Sequence, residues 1–164
     1  MIVVVMGVAG CGKSTLGRAL AAKLGCAFIE GDEFHPPASR RKMASGVPLD
    51  DADRWPWLDA LAAELGRRAQ RGESIVLACS ALKYVYRERL RRGCPRLRLV
   101  FLHGAEACIS QRLAARRGHY MPPSLLQSQL ATLELPRPSE AAVLVDVEAP
   151  IQRSVETVIA TLQA

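Results

Sequence analysis

Residues 7 to 14 read Gly7-Val8-Ala9-Gly10-Cys11-Gly12-Lys13-Ser14, the pattern GxxxxGKS, and Thr15 follows. Glycines at these places let backbone N–H groups curl around phosphate oxygens. The lysine then reaches the β- and γ-phosphates, and the serine hydroxyl takes Mg²⁺. A helix starting directly after the loop adds partial positive charge for the same anion. A nucleoside triphosphate and Mg²⁺ are therefore expected, with nucleotide contacts from Gly7 through Thr15. The competing explanation is a glycine-rich turn that binds nothing, and a lysine and serine in register argue against it.

A second group with chemical potential is Glu30-Gly31-Asp32-Glu33-Phe34-His35. Asp32 can accept the proton of an attacking hydroxyl and orient it toward the γ-phosphoryl. The same aspartate would also serve as an N-cap or Asx-turn residue. His35, ahead of Pro36-Pro37, suits a hydrogen bond to substrate as well as it suits fixing a turn. Asp50, Asp51 and Asp53 look like a metal cluster, but beside Arg54 at a helix start they read better as capping acids. The planar fork of Arg54 can grip a carboxylate through two parallel hydrogen bonds, or pair internally with one of those aspartates. Lys83 and Arg87, four apart, share a helix face that would attract an anion. Arg89, Arg91 and Arg92 read as a solvated basic face. Trp55 and Trp57, two apart, cannot share one helix face, so one belongs to the core and the other near the cleft or an interface.

Positioning these groups requires alternating elements. Ile2–Met6 is short, unbroken and β-branched, as a central strand buried on both faces should be, and Gly7 stops it. Leu16, Leu20 and Leu24 mark a helix over Lys13–Leu24, with Gly25 as its C-cap. Ala27–Glu30 is the next strand, followed by a long polar stretch with a possible short helix over Ser39–Ala44. Asp53–Gln70 is helical by its Trp57, Leu58, Leu61, Ala62 and Leu65 pattern, with Pro56 tolerable in a first turn. Further strands are expected at Ile75–Cys79, Leu97–Leu102 and Ala142–Val147. Helices are expected at Leu82–Arg92, Glu106–Arg117, Ser124–Leu133 and Pro150–Leu162. This alternation predicts one α/β domain over 1–164, a five-stranded parallel sheet with helices on both faces. Ligands would then lie at the carboxyl ends of the strands.

Of the 164 residues, 49% are hydrophobic and 23% charged, which gives enough apolar surface for a core and argues against a disordered tail. The early apolar run, Ile2–Met6, is far shorter than a membrane span or signal core, so an unsecreted, cytoplasmic protein without membrane contact is expected. Five cysteines, no two closer than 14 positions, leave no CxxC pair or zinc spacing. The net charge of +6 suits an anionic partner, but with 5% aromatics and dispersed arginines a nucleic-acid partner is not expected. The chain lacks asparagine, so the Asn-Lys-x-Asp base reader of a GTPase switch cannot be present, and a small-molecule kinase is favoured.

Several blocks in order carry a narrower signal: MGVAGCGKS at Met6–Ser14, EGDEFHP from Glu30, KMASGVPLDDADRWPWL at Lys42–Leu58, CSALK at Cys79–Lys83 with Tyr86-Arg87, and RRGHYM at Arg116–Met121. Together they span nearly the whole chain, which resembles the short gluconokinases of the P-loop kind, similar in fold to shikimate and nucleoside monophosphate kinases. The resemblance implies ATP and D-gluconate giving ADP and 6-phospho-D-gluconate with Mg²⁺, in a three-layer kinase fold with a lid near 117–123. It implies a homodimer as well. Asp32, His35, Arg54, Lys83, Arg87 and His119 become expected gluconate contacts. Lys13, Asp32 and Arg116 become the catalytic set, and Arg112 a residue packed on adenine. Ser14 and Glu30 become metal ligands. At the Glu30 position similar sequences often carry aspartate. The extra methylene would displace a direct ligand but suits one acting through water.

Overall fold

The computed structural model describes residues 1–115 and 123–163. Five apolar residues, Ile2–Met6, make β1, and all of them are buried. Alternate side chains of this strand feed two separate cores. Val3 and Val5 join Leu16 and Leu20, while Val4 and Met6 join Trp57, Leu58 and Leu61. The first layer contains α1 (Lys13–Leu24) and α7 (Ile151–Gln163), and the second contains α3 (Asp51–Gln70) and α4 (Tyr84–Gly93). Helices therefore cover both faces, as the unbroken apolar strands require.

The sheet has five parallel strands in the order β2-β3-β1-β4-β5, with β2 at Ala27–Glu30, β3 at Ile75–Ala78, β4 at Arg98–His103 and β5 at Val143–Asp146. Val4 lies opposite Leu77 on one side and Leu99 on the other, so β1 is the central strand expected of it. The chain winds to one side of β1 through β2 and β3, then crosses to β4. That reversal opens a crevice at the carboxyl end of β1. There are three further helices, α2 (Pro37–Ala44), α5 (Glu106–Ala114) and α6 (Pro123–Thr132), of which α5 and α6 add Ile109 and Leu126 to the core that holds Val3 and Val5.

Local chemistry moves several boundaries. Helix α3 starts at Asp51 rather than Asp53, because Asp50 is its N-cap: the Asp50 carboxylate accepts from the Asp53 amide at 2.8 Å, and the Asp53 carboxylate accepts from the Asp50 amide at 3.1 Å. This reciprocal box satisfies two donors left open at a helix start. It also places Pro56 inside the helix rather than in its first turn. A 3₁₀ turn at Gly31–Phe34 occupies what the sequence reads as featureless polar chain. The end of the expected Glu106–Arg117 helix, and the lid apart from Pro123, which opens α6, lie outside the described residues.

Candidate active site

The loop from Gly7 to Ser14 leaves β1 and enters α1, whose N-cap is Gly12 in a left-handed conformation at φ 101°. Gly10, at φ 81°, lies beneath Leu113 of α5, whose side chain fills the space that a Cβ would need. Val8 and Cys11 are buried, so only their backbone is free to serve a ligand. The Lys13 ammonium donates to the Val8 carbonyl at 2.9 Å, and the Gly7 amide donates to the Ser80 carbonyl at 3.4 Å. The loop is thus tied to the end of β3 as well as to β1. Thr15 is exposed on α1.

A cavity of about 780 Å³ opens from this loop across the carboxyl ends of β1, β2 and β3. Lys13, Ser14, Glu30, Asp32, His35 and Arg54 all line it, which brings together residues from 13 to 54 that the sequence singles out. Asp32 sits in the Gly31–Phe34 turn with its side chain 67% exposed. Trp57 of α3 holds that turn in place, its indole Nε1 donating to the Gly31 carbonyl at 2.7 Å in a buried contact. Trp57 also stacks on His35 with ring centroids 4.1 Å apart. Of the two tryptophans, Trp57 is therefore both core and cavity wall, while Trp55 packs edge-on to Tyr86 with Arg89 over its ring.

His35 is only 5% exposed. Burial pulls its pKa down to about 4, against an opposing pull from the Asp32 carboxylate 3.9 Å from Nε2 and with help from Arg54 and Arg40. The imidazole is therefore neutral at physiological pH, and its Nδ1 has no hydrogen-bond partner among the described residues. A neutral ring with a free nitrogen suits a hydroxyl better than it suits a carboxylate.

The cations divide sharply. Arg54 lines the cavity and donates to the Tyr86 hydroxyl at 3.2 Å, with no carboxylate within ion-pair reach among the described residues. Tyr86 in turn donates to Asp51 in a short hydrogen bond, and Lys83 donates to the same carboxylate at 2.8 and 3.0 Å. These bonds, from Lys83 first and then Tyr86, hold the Asp51 pKa below its ordinary value. Lys83, expected on the substrate, is thus engaged by Asp51 and is not part of the cavity lining.

Arg87, also expected on the substrate, is buried instead. Its Nε and Nη2 form a two-pronged pair with Glu140 at 2.7 and 2.9 Å, and its Nη1 donates to the carbonyls of Ala81, Leu82 and Glu134. Ala81 has a left-handed backbone at φ 44°, unusual for a residue with a side chain, so Arg87 clasps a strained turn next to Ser80. Burial raises the pKa of Glu140, but bonds from Arg87, the Arg137 amide and Arg91 outweigh it and bring the pKa down to about 2. Arg112 donates to the Val147 carbonyl just beyond β5 and does not line the cavity. Arg116 and His119 lie outside the described residues.

Two cavity residues escape a reading of motifs. Arg40 of α2 donates to the carbonyls of His35 and Glu33 at 2.9 and 2.6 Å, staking the acidic turn to the short helix. Gln129 of α6 accepts from the Ala9 amide at 2.7 Å. Neither carries a local signature; only the proximity of Arg40 to the acidic block hinted at its place.

A phosphate loop between a central strand and its helix, facing across β3 a carboxylate turn at the end of β2, defines a P-loop kinase. The model of a family described as an AAA domain matches residues 2–136. A gluconokinase from Gluconobacter oxydans (strain 621H) is 48% identical over 145 residues, 88% of this chain and 82% of that protein. The crystal structure of a gluconokinase from Sinorhizobium meliloti 1021 superposes with a TM-score of 0.89 at 50% identity, covering 98% of this chain and 90% of that one. A shikimate kinase from Bacteroides thetaiotaomicron, at 21% identity and a TM-score of 0.72 over 100% of this chain and 99% of that one, shares the fold. The chain belongs to the gluconokinase family.

Proposed function

We propose that the protein transfers the γ-phosphoryl group of ATP to the 6-hydroxyl of D-gluconate. The observation that carries this reading is one cavity lined both by Lys13 and Ser14 of the phosphate loop and by Asp32, His35 and Arg54. As the hydroxyl oxygen forms its bond to the γ-phosphorus, the bond to the β,γ-bridging oxygen breaks and ADP leaves. The hydroxyl proton passes to the Asp32 carboxylate. Lys13 neutralises charge on the transferring group, neutral His35 holds a sugar hydroxyl, and Arg54 grips the carboxylate of the acid. Arg116 and His119 complete the reading, as a cation on the phosphoryl group and a further gluconate contact, with Arg112 beside the base.

The cavity fits a magnesium ion better than a protein-caged metal. Mg²⁺ keeps waters and phosphate oxygens and asks little of the protein. The Ser14 hydroxyl and the Glu30 carboxylate, both lining the cavity, supply hard oxygen donors, and the described residues contain no cluster of three His, Cys, Asp or Glu able to cage a metal. Bound there, the ion would offset the charge of the β- and γ-phosphates. The length of Glu30 suits contact through water. The reading takes the enzyme as cytoplasmic, from the short first apolar run and the spaced cysteines, and as a homodimer on family resemblance. No helix among the described residues is long and apolar enough to cross a membrane.

ADP release measured with gluconate, shikimate and nucleoside monophosphates, with and without Mg²⁺, tests the acceptor. Asp32→Asn keeps the shape but loses the base, so kcat should fall about 10²–10⁴-fold while ATP affinity holds. Turnover with another acceptor and none with gluconate would overturn the reading.

A further inference from the structure

Ala9 and Gln129 are separated by 120 positions, yet the amide of one donates to the side chain of the other at 2.7 Å. A backbone N–H can only donate, so the atom facing it is the acceptor Oε1, and the NH₂ end of Gln129 is fixed as the free donor. Both residues line the cavity with Lys13 and Ser14, and Nε2 has no acceptor among the described residues. Ser128 and Leu125 of the same helix line it as well, so α6 presents a turn of its surface there. The phosphate loop thereby holds a neutral amide donor on a fixed mount, on the side of the Val8–Ala9 peptide opposite to the lysine, whose ammonium donates to the Val8 carbonyl.

Phosphoryl transfer spreads negative charge over the equatorial oxygens of the moving group, and donors already in place stabilise that charge without reorganising. The geometry points to Gln129 as a catalytic residue that donates from Nε2 to an oxygen of the transferring phosphoryl group while its Oε1 stays on the Ala9 amide. The assignment rests on the kinase reading above but does not depend on which acceptor is used.

Gln129→Glu separates this role from that of a tether. The glutamate still offers an acceptor to the Ala9 amide, so the anchor of α6 survives, but the donor becomes a carboxylate facing phosphate. Gln129→Ala removes both. The measurements are kcat with gluconate, slow acceptor-free ADP release, ATP titration and thermal melting. The expected result is a kcat lower by about 10²–10³-fold in Gln129→Glu, a loss at least as large as in Gln129→Ala, with the melting temperature of Gln129→Glu unchanged. ATP affinity in Gln129→Ala should shift far less than kcat. A Gln129→Glu enzyme with kcat near that of the wild type would overturn the proposal and leave Gln129 a tether. Equal losses of ATP affinity and kcat in Gln129→Ala would overturn it too, marking a ground-state contact. If the wild type fails with gluconate, the acceptor reading falls, while acceptor-free ADP release still compares the variants.

Discussion

The rings of His35 and Trp57 lie 15° from parallel with centroids 4.1 Å apart, while the Trp57 indole donates to the carbonyl of Gly31. One side chain from α3 therefore sets both ends of the turn that carries Asp32. Trp57→Phe keeps an aromatic face for His35 but strands the Gly31 carbonyl in a buried setting. The loss should be about 1–3 kcal/mol of stability. It should be accompanied by a lower kcat at unchanged ATP affinity. Calorimetry and steady-state turnover check this, and unchanged kcat in a destabilised variant would separate the turn from the chemistry.

Arg54 and Lys83 should differ on substitution. Arg54 faces the cavity, and a hydrogen-bonded charge pair with a carboxylate is worth about 1.5–3 kcal/mol, so Arg54→Ala should raise the KM for gluconate by roughly 10–100-fold. Lys83 is held by Asp51 away from the cavity, so Lys83→Ala should change KM far less. Similar KM increases in both would show that the Asp51 network opens on substrate binding.

Acid should weaken the fold in two steps. The folded pKa of His35 is about 4 against an ordinary 6.5, so between these values the unfolded chain binds more protons and stability falls as pH drops. Glu140 is depressed to about 2 from 4.5, so its contribution is complete above pH 4.5 and is lost as pH falls toward 2. His35→Gln should flatten the upper step. Glu140→Gln should remove the lower one and, by leaving Arg87 buried without its partner, cost about 3–5 kcal/mol at neutral pH. Urea titrations across pH 2–8 measure both.

Lys13→Ala should leave the fold intact, because among the described residues the ammonium donates to the Val8 carbonyl alone. Turnover should fall by orders of magnitude, since the lysine serves bound and transferring phosphate alike. A folded variant with kcat/KM near that of the wild type would refute the role of this loop.

Helix α3 shows where reading the sequence stops short. Its apolar stripe is plain from Trp57 to Leu65, yet its start depends on a reciprocal contact between Asp50 and Asp53 that composition alone does not distinguish from a run of acids. The turn at Gly31–Phe34 is similar: the residues are legible as functional, but their shape depends on Trp57, more than 20 positions away.

The phosphate loop, the five strands and the helices between them are determined by the sequence itself, because glycine spacing and apolar periodicity act over a few neighbouring residues. Which charged and polar groups reach the cavity was decided by tertiary structure. Lys83, the extended N-cap of α4 rather than a residue on its face, and Arg87, within that helix, are drawn to Asp51 and Glu140, and Gln129 reaches the loop from 120 positions away. A long side chain takes whichever partner packing brings within about 3 Å, and that choice is made between elements rather than along the chain.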